Sequence, residues 1–108
     1  MHYADLEGDE YHHLAKKYMP NGSCGVLAFA IKGGREASVE FMDKLKLISI
    51  VTHVADAKTC LLHPASHTHR QLSEEQLKEA GVNPDLIRLS VGIENVEDII
   101  EDLKQAMA

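Results

Sequence analysis

Tryptophan is absent from this chain, and three tyrosines and two phenylalanines are its only aromatics. That scarcity argues against an aromatic platform on which bases or sugars stack. Cysteine is scarce too. Cys24 and Cys60 form neither a disulfide framework nor a C-x-x-C pair, so both are expected as reduced, buried thiols of a cytoplasmic protein. Positive charge is in deficit. The net charge of −6 makes nucleic acid or an anionic membrane surface an unexpected partner. No apolar run reaches the roughly 18 residues that span a bilayer. Met1-His2-Tyr3-Ala4-Asp5 lacks the layout of a signal peptide. What is present, 44% hydrophobic and 26% charged residues in 108, suits one globular domain over residues 1–108 with one core.

No internal repeat or low-complexity tract divides the chain. Tyr11, Leu14, Ala15 and Tyr18 recur at helical spacing, which predicts a helix over about residues 9–19 that Pro20-Asn21-Gly22 stops. Val26 to Lys32 is a continuous apolar strand. Gly33-Gly34 then turns the chain into a helix over about 35–46. Leu47–Thr52 and Thr59–His63 read as two further strands, and their short link predicts antiparallel neighbours. Ser73-Glu74-Glu75-Gln76 is a capping box that opens a short helix, which Gly81 closes. A strand follows over 86–94. Asn95 caps a last helix whose apolar stripe is Val96, Ile99, Ile100, Leu103 and Met107. The order α-β-α-β-β-α-β-α predicts an α/β two-layer sandwich. Its sheet is mainly antiparallel, of about four strands, with helices on one face. The other face is expected to be uncovered and sticky, carrying Arg88, Ser90 and apolar surface.

Arg88 is the most informative residue. In Leu86-Ile87-Arg88-Leu89-Ser90-Val91-Gly92-Ile93-Glu94, strand alternation puts Ile87, Leu89, Val91 and Ile93 on one face and Arg88 and Ser90 on the other. A guanidinium is always charged, and its planar fork matches a carboxylate with two parallel hydrogen bonds. Arg88 is therefore a candidate anchor for a substrate carboxylate. The blander alternative is an arginine that snorkels to water at a sheet edge.

Other constellations carry less. Cys60, His63, His67 and His69 contain zinc-ligand types, but Pro64 breaks the helix that would align His63 with His67, and no second cluster completes the set. His12-His13 reads as a solvated helix face. Neither cysteine has a sequence context that identifies a paired base. Gly33-Gly34 before a helix is more simply a turn than a phosphate site. Glu97, Asp98, Glu101 and Asp102 read as a solvated helix face, and Glu94 as a local cap or salt-bridge partner.

Three stretches together resemble one family. They are Lys32-Gly33-Gly34 after an apolar strand, His63-Pro64-Ala65-Ser66-x-Thr68-His69, and Arg88-Leu89-Ser90-Val91-Gly92-Ile93-Glu94, with Ala80-Gly81-Val82 between the last two. The chain is similar to the carboxy-terminal domain of the pyridoxal-phosphate enzymes of cysteine and methionine metabolism. The stretch from Leu45 through Thr59 is most similar to the O-acetylhomoserine sulfhydrylase branch. The resemblance implies the small domain of a fold-type-I enzyme of methionine biosynthesis and transsulfuration. That transferase would join O-acetylhomoserine to sulfide or a thiol and release acetate. Arg88 would hold the substrate's α-carboxylate. His53-Val54-Ala55 aligns with a Ser-Leu-Gly stretch that lines the site in the cystathionine branch, which makes His53 a second, site-lining candidate. Tyr3-Ala4-Asp5-Leu6 departs from the family's Tyr-Pro-Gly-Leu.

The family's Schiff-base lysine, phosphate loop and ring-stacking aromatic have no counterpart here. Lys16-Lys17-Tyr18 imitates the lysine motif but lies on an amphipathic helix without a preceding Ser or Thr. The expectation is an inactive fragment that binds no pyridoxal phosphate alone. Its partners would be the missing amino-terminal cofactor domain and an amino-acid substrate, within a homotetrameric parent. A cystathionine γ-synthase or methionine γ-lyase type domain stays open, as does a non-catalytic small-molecule or metal-binding module.

Overall fold

Eight elements follow in the predicted order. They are α1 (His12–Tyr18), β1 (Val26–Ala30), α2 (Gly34–Asp43), β2 (Ser49–Ile50), β3 (Cys60–Leu62), α3 (Glu74–Glu79), β4 (Leu86–Ser90) and α4 (Val96–Met107). The computed structural model describes residues 1–53, 56–65, 71–81, 83 and 85–108. The four strands form one sheet in the order β1-β4-β3-β2. β4 pairs antiparallel with β1, from Val26 opposite Ser90 to Ala30 opposite Leu86. It also pairs antiparallel with β3, where Leu62 faces Arg88.

β2 and β3 are neighbours as expected, but they run parallel, so the sheet is mixed. Strands that run parallel are not joined as a hairpin. Asp56 turns the chain by accepting the Lys58 amide at 3.0 Å, and it re-enters the sheet in the direction of β2. β2 is also shorter than the predicted 47–52. The amides of Lys46, Leu47 and Ile48 are claimed by the Asp102 carboxylate, each at 2.9 Å, instead of by a neighbouring strand.

One sheet face meets α2 and α4. Phe41 and Met42 of α2, Ile48, Leu61, Ile87, Leu89, and Ile99 and Ala106 of α4 form the core, with Leu27, Phe29 and Leu103 packed against it. Phe29 meets Phe41 edge to face, with ring centroids 6.1 Å apart. The alternation expected to carry on through Val91 and Ile93 stops at Ser90. Val91 is partly exposed and Ile93 is 88% exposed, because the Ile93 amide bonds the Ala57 carbonyl, outside the sheet ladder. The opposite face is less bare than expected. Cys60, Leu62 and Ser90 are buried there, while Ala30 is exposed and Val26 and Ala28 are half-buried.

Local signals decide the helix ends. Ser73 Oγ accepts the Gln76 amide at 3.3 Å and the Gln76 side chain accepts the Ser73 amide at 2.9 Å, the reciprocal box that the spacing predicts. Gly33 begins α2 at φ +109°, a conformation only glycine adopts without strain, so Gly33-Gly34 is the expected turn. Asn95 caps α4 through the Glu97 amide at 2.9 Å. His12 is half-buried and its Nδ1 pairs with the Ala4 carbonyl at 3.0 Å, so it is not a solvated residue. On α4, Val96, Ile100 and Met107 are exposed, and the buried line is Ile99, Asp102 and Ala106.

Asp102 is thus no member of a solvated face. It is 6% exposed and also accepts Gln105 Nε2 at 3.0 Å. Burial, the largest single influence, pushes its pKa up. The amides of Ile48, Lys46 and Leu47 and the Gln105 side chain together outweigh burial and hold the carboxyl below its ordinary 3.8. A depressed folded pKa means stability that is complete above the ordinary aspartate range and is lost as pH falls through the folded value. Asp102→Asn should cost about 1.5 kcal/mol or more at neutral pH. It should also flatten the loss of stability on acidification below about pH 4. Urea titrations of both forms across that range check the prediction, and parallel curves would refute it.

Candidate functional site

β4 has a neighbour on each side, so Arg88 projects from the middle of the sheet, not from an edge. This decides against the edge-snorkelling alternative. Strand alternation puts it opposite the helical layer, since Ile87 and Leu89 enter the core. Its cross-strand neighbours are Leu62 and the small Ala28. The side chain is half-buried, and Nη2 donates to the Thr52 carbonyl at 3.3 Å. Nε is covered from solvent and has no partner among the described residues. Among the described residues the ion pairs are Lys16–Asp5, Lys44–Glu40 and His53–Asp56, none of which neutralises Arg88. A guanidinium carries five N–H donors, and one long hydrogen bond leaves most of that capacity unspent.

His53 adjoins the carbonyl that Arg88 holds. Its Nδ1 lies 3.3 Å from Asp56 Oδ2, and the imidazole is exposed. The Lys58 amide, then His53, hold the Asp56 carboxyl below its ordinary value. The rest of the aligned stretch, Val54-Ala55, lies outside the described residues.

The return limb of the same loop is built around Glu94, which bonds across to Thr59 at the start of the neighbouring strand. Its two oxygens accept the Thr59 amide at 2.9 and 3.0 Å, and Oε1 accepts the Thr59 hydroxyl at 2.8 Å. Thr59 Oγ1 in turn accepts the Gly92 amide at 2.9 Å, and Ile93 N donates to Ala57 O at 2.9 Å. The Thr59 amide above all, with Glu94's own amide next, holds the Glu94 carboxyl below its ordinary value. Thr59 is wholly buried. Gly92 is required by this crossing. A Cβ there would run into the Ala57 carbonyl and lie 2.5 Å from Glu94 Oε1. The glycine two residues before Glu94, at a strand end, was the signal that sequence reasoning passed over.

The metal-site alternative gains nothing. His63 is wholly buried, while His67 and His69 lie outside the described residues. Among the described residues no group of three or more His, Cys, Asp or Glu could hold an ion. Cys60 is buried, and burial first, then the charges of Asp56 and Glu94, push its thiol pKa up. Cys24 is exposed, contrary to the expectation of two buried thiols. It lies just before β1, and its thiol donates to the Val26 carbonyl at 3.6 Å. No described helix is long and apolar enough to cross a membrane.

The family described as Cys/Met metabolism PLP-dependent enzymes matches residues 1–108. O-acetyl-L-homoserine sulfhydrylase 1 of Thermus thermophilus is 46% identical over 108 residues, covering all of this chain and 26% of the relative. Homocysteine synthase of Schizosaccharomyces pombe is 49% identical over 105 residues, 97% of this chain and 24% of the relative. A crystal structure described as an O-acetylhomoserine (thiol)-lyase of Campylobacter jejuni, carrying a pyridoxyl-lysine phosphate, superposes with a TM-score of 0.87. It is 44% identical and matches 97% of this chain and 25% of its own. The chain belongs to the pyridoxal-phosphate-dependent enzymes of cysteine and methionine metabolism. It spans about a quarter of the length of the relatives it matches.

Every lysine of this chain is exposed. What the site residues offer is a fixed cation with open donors. Gly92→Ala should destabilise the protein by about 1–3 kcal/mol, the ordinary range for forcing a methyl into a filled space. Thermal and urea unfolding measure it, and a variant as stable as the parent would refute the crossing described above.

Proposed function

We propose that this chain is the substrate-carboxylate-binding part of an O-acetylhomoserine sulfhydrylase. The reaction converts O-acetylhomoserine and sulfide, or a thiol, into homocysteine or methionine with release of acetate. The observation that carries this reading is Arg88, a half-buried guanidinium with a covered, unpartnered Nε and no carboxylate partner among the described residues. Leaving a covered N–H unmatched costs about 1–3 kcal/mol, and an incoming α-carboxylate supplies the missing acceptors in the planar geometry the fork prefers. The family membership and the sulfhydrylase relatives support the choice of substrate.

Arg88 has an orienting role. It holds one end of the amino acid while the chemistry proceeds at another, and such fixation is a large part of what enzymes gain from binding. The Thr52 carbonyl keeps the guanidinium from swinging. His53 borders the same carbonyl and is proposed to line the site. A methionine γ-lyase reading is the second choice, supported by a relative of that name from Fusobacterium nucleatum, 42% identical over 107 residues.

In the full-length enzyme that carries this chain, Arg88→Ala should lower kcat/KM for O-acetylhomoserine by about 100-fold or more. The absorbance of bound cofactor should be retained. Steady-state kinetics with an absorbance spectrum check both, and an unchanged kcat/KM would remove Arg88 from the site.

A further inference from the structure

We infer that Glu94 is a positioning residue for the Arg88 anchor and that it acts through Thr59. The inference rests on the carboxylate-binding reading of Arg88. The route between the two side chains is short and continuous. Glu94 grips the Thr59 amide with both oxygens and the Thr59 hydroxyl with one. The Thr59 carbonyl accepts the Ser49 amide at 3.3 Å, and the Leu61 carbonyl accepts the Val51 amide at 3.2 Å. Those two bonds hold the segment 49–51 against β3. The next residue is Thr52, whose carbonyl receives Arg88 Nη2.

The need for such a grip follows from the shortness of β2. Its ladder with β3 has only the register pairs Ser49–Cys60 and Ile50–Leu61. A two-residue parallel strand on a sheet edge does not by itself hold a carbonyl at a chosen place. Glu94 compensates from the other side of β3, because β4 carries both the anchor and, beyond its end, the carboxylate. The Gly92 amide completes the fastening by donating to Thr59 Oγ1, so that hydroxyl donates to Glu94 while accepting from Gly92. Arg88 has a long side chain with much rotamer freedom to lose. Among the described residues its hydrogen bond is to the Thr52 carbonyl that this chain of contacts locates.

The test uses the full-length enzyme and measures discrimination. This is the ratio of kcat/KM for O-acetylhomoserine to kcat/KM for the analogue whose α-carboxylate is a carboxamide. A defect in anchoring lowers the ratio, whereas a general loss of structure lowers both rates alike. Glu94→Gln and Thr59→Val should each raise KM for O-acetylhomoserine and reduce the discrimination by about tenfold. Thr59→Ser, which keeps the hydroxyl, should restore the parental ratio. Arg88→Lys is the reference and should reduce the ratio at least as far.

If Arg88→Lys lowers the ratio and Thr59→Val does not, the positioning role is wrong while the anchor stands. Equal losses on both substrates in Glu94→Gln and Thr59→Val also overturn it. A parental ratio in Arg88→Lys overturns the anchor itself. Thr59→Val preserves side-chain volume, so the question stays answerable should Glu94→Gln fail to fold.

Discussion

A cation on an inner strand has few ways to satisfy itself. Arg88 stands between β1 and β3, so it cannot turn aside over a sheet edge. The helical layer is closed to it by Ile87 and Leu89, which fill the core with Leu61, Phe41 and Ile99. The remaining direction is the opposite face, where Ala28 leaves room on one side and the chain before β3 approaches on the other. The carbonyl of Thr52 is the acceptor found there, and Nε is left unmatched among the described residues. The proposed role in carboxylate binding is the chemical complement of that unfilled requirement.

Two carboxylates make this arrangement possible by serving backbone amides in place of cations. Asp102 gathers the amides of 46–48 and so ends the turn that delivers β2. Glu94 gathers Thr59 and so delivers β3. Each carboxylate stands where a longer strand pairing would otherwise be needed. The loop between β2 and β3, which reaches Arg88, is therefore secured at both ends by an anion from a later part of the chain.

The fold was largely legible because its signals are local. A continuous apolar run placed β1, apolar alternation placed β4, the Ser73–Gln76 spacing placed α3, and Asn95 placed the start of α4. The arginine was also legible, because one charge in an apolar strand stands out against period-two alternation. What escaped depends on long-range pairing. The end of the alternation at Ser90 and the burial of Asp102 follow from contacts spanning tens of residues, and the parallel sense of β2 against β3 from a pairing that no local signal announces. Within the sequence, Glu94 and Asp102 look like any acidic residue near a helix. Only the folded chain distinguishes them from Glu97 and Glu101, which remain exposed.

The margins of the sheet carry a consequence of their own. β2 is two residues long, and β1 is closed at Ala28 by a bridge to His2, whose amide and carbonyl both engage that residue. Unpaired strand margins invite neighbouring chains to add on and grow into fibres. Here one margin is too short to template such growth and the other is interrupted midway. A chain rich in apolar strand sequence is thereby shielded from edge-to-edge polymerisation without a proline or a charged residue placed within either outer strand.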